Sequence, residues 1–180
     1  MKKTLEAVGI ESRSDEEDHS VRVPVEVRVT DNIETAWMWM ERLMEIYEEV
    51  REAAADEGIE VRPYKPVERH VLLATGVGVL RSGHAPVTRG MFIEMLHRYV
   101  WNQGLPNTNH RSTVALVLEV MDHAGLVAPA PEDVLEVSET FAKESKPLIQ
   151  KKEAGYDPET LRVEHHRASA KAIDALLPRD

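Results

Sequence analysis

Residues able to do chemistry concentrate in one short stretch of this chain, Leu105-Pro106-Asn107-Thr108-Asn109-His110-Arg111-Ser112-Thr113. The stretch is polar, with two amides, three hydroxyls, one imidazole and one guanidinium. It lies between two segments whose apolar residues recur at helical spacing and runs directly into the second. The first N–H groups of a helix have no intrahelical partner, and the aligned peptide dipoles make that end positive. A phosphate or other anion is the ligand such a loop suits. The same residues also make an ordinary helix start, since Thr108 and Asn109 are N-cap types and Pro106 and Asn107 are turn types.

The charge distribution favours the anion. The chain of 180 residues carries a formal net charge of −10, yet the window from Val61 to Arg111 stands at +5 and leaves −15 for the remainder. Arg62, Lys65, Arg69, Arg81, Arg89, Arg98 and Arg111 face only Glu68 and Glu94 there, and His70, His84, His97 and His110 fall in the same window. A cationic middle in an acidic chain points to a small anionic ligand and away from nucleic acid. Cysteine is absent, which excludes disulfide frameworks, thiolate metal sites and thiol nucleophiles. Met1–Glu6 has basic residues with no apolar run behind them, and no segment reaches the apolar length of a membrane span. The expected location is therefore cytoplasmic, with no membrane partner.

The elements that must position this loop are mostly helices. Residues 1–20 read as a polar, mobile tail, and residues 21–180 as one domain. Val21-Arg22-Val23-Pro24-Val25-Glu26-Val27-Arg28-Val29 alternates strictly, which predicts a half-buried strand, placed at an edge by Pro24. Its partner is either Ile59–Arg62 or another chain. Asp31 with Glu34 forms a capping box for a helix reaching Gly58, whose stripe of Ile33, Trp37, Met40, Met44 and Tyr47 should face the core. Its other face, Glu41, Glu45, Glu48, Glu49 and Glu52, should be solvated. A second helix spans Val67–Arg81, with Gly76 and Gly78 serving close packing. A third starts near Pro86–Val87 and ends by Gly104. The segment Val114–Ala124 is apolar nearly all round, which predicts a buried central helix closed by Gly125. A helix from about Pro131 and one from Asp157 to Leu177 follow, with Lys146–Tyr156 as a polar linker. His97 reads as a satisfied core or boundary histidine. Glu164-His165-His166 reads as a solvated helix face, since adjacent residues point about 100° apart and make a poor metal pair.

Helix, turn, helix, polar loop and central helix come in this order. Aligned on Asn109 and Arg111, the stretch Gln103–Arg111 resembles the Fic/Doc (Fido) motif, H-P-F-x-(D/E)-G-N-(G/K)-R. Ser112-Thr113-Val114-Ala115-Leu116 and Met121-Asp122-His123-Ala124-Gly125-Leu126 resemble the start and end of that family's following helix. The resemblance covers roughly residues 65–127. It implies a Fido-like helical bundle around the buried central helix, mainly α, with an N-terminal strand or small hairpin. It also implies that Asn109, Arg111 and loop N–H groups, with Asn107 and Thr108, hold the phosphates of ATP or another nucleotide. Asn107 stands where the family has a magnesium-binding acid, so the metal loses a charged ligand. Gln103 stands where the family has its general base, and an amide is no base near neutral pH. His110, at the Gly/Lys position, is the candidate to take over proton transfer.

The resulting expectation is a protein that binds a nucleotide or phosphate-bearing ligand at residues 107–111. Transfer of AMP or phosphate to a protein hydroxyl would then run with an altered or lost base. The alternative is a non-catalytic interaction module using the edge strand 21–29 and the acidic helix 31–57.

Overall fold

The computed structural model describes residues 32–56, 58, 60, 66–105, 108–126 and 129–177. Among these the fold is all-helical, with six helices: α1 (Asn32–Asp56), α2 (Pro66–Leu80), α3 (Arg89–Trp101), α4 (Asn109–His123), α5 (Pro131–Glu153) and α6 (Pro158–Leu176). No helix among the described residues is long and apolar enough to cross a membrane. The expected 1–20 tail, the 21–29 strand and the Asp31 half of the capping box lie outside the described residues.

The helices pack around α3 and α4. Helix α3 lies against α2, α4 and α6, and α4 lies against α1, α3 and α5. The apolar run of α4 therefore occupies the interior, as its pattern requires. Enclosure is deeper on α3, where ten of thirteen residues are buried, against eight of fifteen on α4. Phe92, Met95, Leu96 and Tyr99 of α3 meet Met40, Leu43 and Tyr47 of α1, Leu116, Val117 and Met121 of α4, and Ile173 and Leu176 of α6 in one apolar core. Arg42 of α1 forks onto Glu119 of α4, with Nε–Oε2 at 2.7 Å and Nη2–Oε1 at 2.5 Å, which fixes the rotation of one helix against the other.

Several local expectations are corrected. The stripe of α1 buries Met40, Leu43, Met44, Ile46 and Tyr47, but Ile33 and Trp37 are about half exposed (55% and 50%), because α2 meets the first turns of α1 at Ala36, on a neighbouring face. Its glutamates face solvent but are not bare: Glu41 pairs with Arg69, Glu45 and Glu49 with Arg42, and Glu48 with Arg51. Helix α3 begins at Arg89 and not near Pro86, since Thr88 takes an extended conformation and its hydroxyl accepts the Met91 N–H. Gly104 is not the left-handed stop after α3. Gln103 takes that conformation (φ 51°), while a Cβ at Gly104 would lie 2.5 Å from Leu72 Cδ2. Glycine is required there for closeness. Lys146–Glu153 is not a linker but the continuation of α5 through Pro147. Proline inside a helix costs about 3 kcal/mol, and burial of Ser145 and Ile149 on either side opposes that cost.

Other expectations hold. Gly58 and Gly125 take positive φ just past α1 and α4, and Asp157 caps α6 by accepting the Glu159 and Thr160 N–H groups at 3.2 Å. Gly76 and Gly78 do serve close approach. A Cβ at Gly76 would sit 2.7 Å from Tyr99 Oη and 3.1 Å from Ala36 Cβ. In an open helix Gly→Ala gains about 1 kcal/mol. Here the fully buried Tyr99 ring cannot retreat and overpacking wins, so Gly76→Ala is expected to destabilise by about 1–2 kcal/mol in urea unfolding.

Candidate functional site

The chain between α3 and α4 is held by Asn109, the first residue of α4. Its amide Oδ1 accepts the Leu105 N–H at 3.0 Å, and its Nδ2 donates to Leu105 O at 2.9 Å and to Gln103 Oε1 at 3.2 Å. Both donors and one lone pair of a buried side chain are thus committed within the loop. Gln103 in turn donates to Val100 O. Asn109 and Gln103 are brought together, but as a clamp that shapes the loop. Thr108 is left-handed (φ 56°) and its hydroxyl lies 3.3 Å from Ser112 Oγ, so its side chain makes no capping bond to α4. Asn107 lies outside the described residues.

One position along, His110 turns into the core. Its Nε2 lies 2.8 Å from Ser145 Oγ on α5, and the same hydroxyl lies 2.7 Å from His165 Nε2 on α6. The opposite nitrogen of His165, Nδ1, lies 2.9 Å from Nδ1 of His97 on α3. Four side chains from four helices form one hydrogen-bonded line, and Ser145 and His165 are fully buried. Phe141 packs edge-on to His110 and His165, at 5.4 and 5.8 Å between centroids, and Trp101 lies 5.2 Å from His165. Three rings with one labile proton each, plus one hydroxyl, give two consistent arrangements. All donors point either toward His110 or toward His97. Every polar atom in the line between the end rings is satisfied, which is what burial demands.

Burial holds these rings neutral. Desolvation is the main cause for each, pushing His97 and His110 down to about 4 and His165 to about 3. Neighbouring cations act the same way: Lys146 on His110, His166, Arg98 and Arg162 on His97, and Lys152 on His165, with Glu94 opposing at His97. A Ser hydroxyl between two imidazoles has the contacts of an activated nucleophile. Full enclosure keeps substrate away from it, so it joins helices.

Arg111 turns outward. It is exposed and makes no hydrogen bond or ion pair among the described residues. The predicted set is therefore split three ways: Asn109 and Gln103 shape the loop, His110 is in the core, and Arg111 faces solvent. His97 is a satisfied buried histidine, as its apolar helix suggested. The solvated reading of Glu164-His165-His166 is corrected at His165, which joins the buried line, while His166 remains partly exposed. The signal was present: Leu161, His165, Ala168, Ser169, Ala172, Ile173 and Leu176 follow helical spacing on one buried face. No group of His, Asp or Glu able to hold a metal ion occurs among the described residues. Comparison with known proteins finds no matching family model, no matching curated protein and no matching solved structure.

The buried line sets an acid limit on stability. The three imidazoles titrate near ~6.5 when unfolded and well below that when folded, so the unfolded chain binds more protons in between. Their stabilising effect is full above pH 6.5 and declines as pH falls toward 4, by roughly 3 kcal/mol for a ring moved that far. Urea unfolding free energy should fall steeply between pH 6.5 and 4. Ser145→Ala should cost about 2–4 kcal/mol at pH 7 by leaving two buried nitrogens without their partner.

Proposed function

We propose that the chain binds a phosphate-bearing ligand, such as a nucleotide, at the start of α4, with Arg111 as its charged contact, and that it does so without group transfer. The observation that carries this reading is the electrostatic condition of that helix end. Helix α3 is capped by Thr88 and α6 by Asp157, and α5 has Glu132 and Asp133 in its first turn. Helix α4 has neither a side-chain cap nor an acid in its first turn, and instead carries Arg111, which has no partner among the described residues. A cation at the positive end of a helix is unfavourable by a few tenths of a kcal/mol or more, and a bound anion reverses that sign. The Asn109 clamp supports the reading by tying Gln103 and Leu105 to the first residue of α4 before any ligand arrives, which lowers the ordering cost of binding.

The same geometry speaks against transfer. Gln103 at the base position is an amide bonded to Asn109 and Val100 O, and His110 is committed to Ser145 inside the core. Neither is placed to take a proton from a target hydroxyl. Asn109 acts in this reading through the loop's shape, and magnesium is not required.

Calorimetric titration with ATP, with and without magnesium, tests the proposal. Binding should appear in both conditions, and Arg111→Ala should weaken it about tenfold or more by removing a charge-assisted contact. Absence of binding in both conditions, or unchanged affinity in the variant, contradicts it. Transfer of labelled nucleotide onto proteins should stay at background.

The second reading, a protein-interaction module, draws on Ile33, Trp37 and Met38 of α1, which are half or more exposed. Its acidic helix is less available than the sequence suggests, since Glu41, Glu45, Glu48 and Glu49 already have arginine partners.

A further inference from the structure

A cleft of about 460 Å³ opens between α3 and α6, lined by Glu94, His97, Arg98, Trp101 and Asn102 on one side and Arg162 and His166 on the other. Its volume falls in the roughly 300–1,000 Å³ range of small-molecule sites. We propose that it is a second binding site, for a small molecule bearing a phosphate or carboxylate group, with the oxyanion held between Arg98 and Arg162 and beside His166.

Charge supports the anion. Glu94 is the one acid in the lining, and it is already committed: Oε1 receives His166 Nε2 at 3.2 Å, and Oε2 receives Arg98 Nε. These two partners hold its carboxyl at about 2, well below the usual carboxylate range. Arg98 and Arg162 set against the ionised Glu94 leave the lining one positive charge in excess, beside two imidazoles, inside a chain of net charge −10. Arg98 spends only its Nε on Glu94, so its two Nη groups make no hydrogen bond among the described residues. Gly78 of α2 provides the space for one of them, since a Cβ there would lie 3.2 Å from Arg98 Nη1. Arg162 reaches from the opposite wall and, among the described residues, is held only by exposed Glu159 at 3.2 Å.

The site is braced from behind. His166 packs edge-on to His97 at 5.2 Å between centroids, and His97 stacks with Trp101 at 6.0 Å and bonds His165 at 2.9 Å. Lys152 donates to Trp101 O at 2.7 Å and lies 4.6 Å from its ring centroid, fixing the end of α3 that forms the cleft floor. The polar groups of the cleft are thus oriented before a ligand arrives. This site is independent of the one proposed at Arg111.

Residue-resolved NMR tests it, with inorganic phosphate and acetate as probes and chloride as the ionic-strength control. Phosphate or acetate should give saturable shifts of the His166 ring and the Arg162 Nε–H signals that chloride does not reproduce. Arg162→Ala should weaken saturation at His166 about tenfold, and Arg111→Ala should leave it unchanged. Response to phosphate alone assigns a phosphate ligand, and response to both assigns a general oxyanion site. Shifts that never saturate, that chloride reproduces, or that survive Arg162→Ala overturn the proposal. Failure at His166 with saturable shifts at Arg111 would leave the α4 reading standing alone.

Discussion

The hydroxyl of Ser145, held between two imidazoles, is the contact on which the arrangement of four helices depends. An apolar core tolerates small rotations of a helix, because dispersion has little directional preference. A line of buried hydrogen bonds does not, since a misplaced donor or acceptor costs about 1–3 kcal/mol. His110 on α4, Ser145 on α5, His165 on α6 and His97 on α3 must all present the right atom at once. That condition sets the rotation and axial position of each helix relative to the others, and the Arg42–Glu119 fork does the same for α1 against α4.

The constraint reaches the α4 loop through helical geometry. Successive residues on a helix point about 100° apart. With His110 fixed inward toward Ser145, Asn109 falls toward the loop and Arg111 toward solvent. Three adjacent residues therefore have three separate tasks: clamp, anchor and exposed cation. A ligand at the start of α4 would meet a surface whose shape is set by Asn109 and whose orientation is set from within by His110. The α3–α6 cleft stands in the same relation to the line's other end, where His97 supports His166.

Most of the helical framework was legible in the sequence, because local chemistry decides it. Asp157 with Pro158, Gly58, Gly125 and the apolar spacing of α3 and α4 each carry a signal read within one or two turns. Lys146–Tyr156 misled because its polar composition reads as a linker, while burial of Ile149 carries α5 on through Pro147 to Glu153. Gly104 misled because glycine serves two needs, and here closeness to Leu72 takes precedence while Gln103 makes the turn. Ile33 and Trp37 have the right spacing for a buried stripe, but spacing does not say whether a second element arrives to cover it. Among the candidate residues, Asn109 and Arg111 do lie at a helix start, yet their opposite directions follow only from His110 being buried. Ser145 carried no signal alone. Its place between Phe141 and Ile149, on the same helix face, and that of His165 between Leu161 and Ser169, show what was missed: polar residues set in apolar stripes on different helices can meet.

The central claim is that three histidines are buried, neutral and joined through one serine. A ¹⁵N and ¹³C NMR titration of the imidazole rings tests it most directly, with Ser145→Ala as the comparison. The account predicts that His97, His110 and His165 each keep a single ring proton at neutral pH and stay neutral until pH falls to about 4, with Nε2 shifts of His110 and His165 that change together in Ser145→Ala. Rings that titrate near ~6.5, as solvated histidines do, or Nε2 signals indifferent to the loss of Ser145, would contradict it.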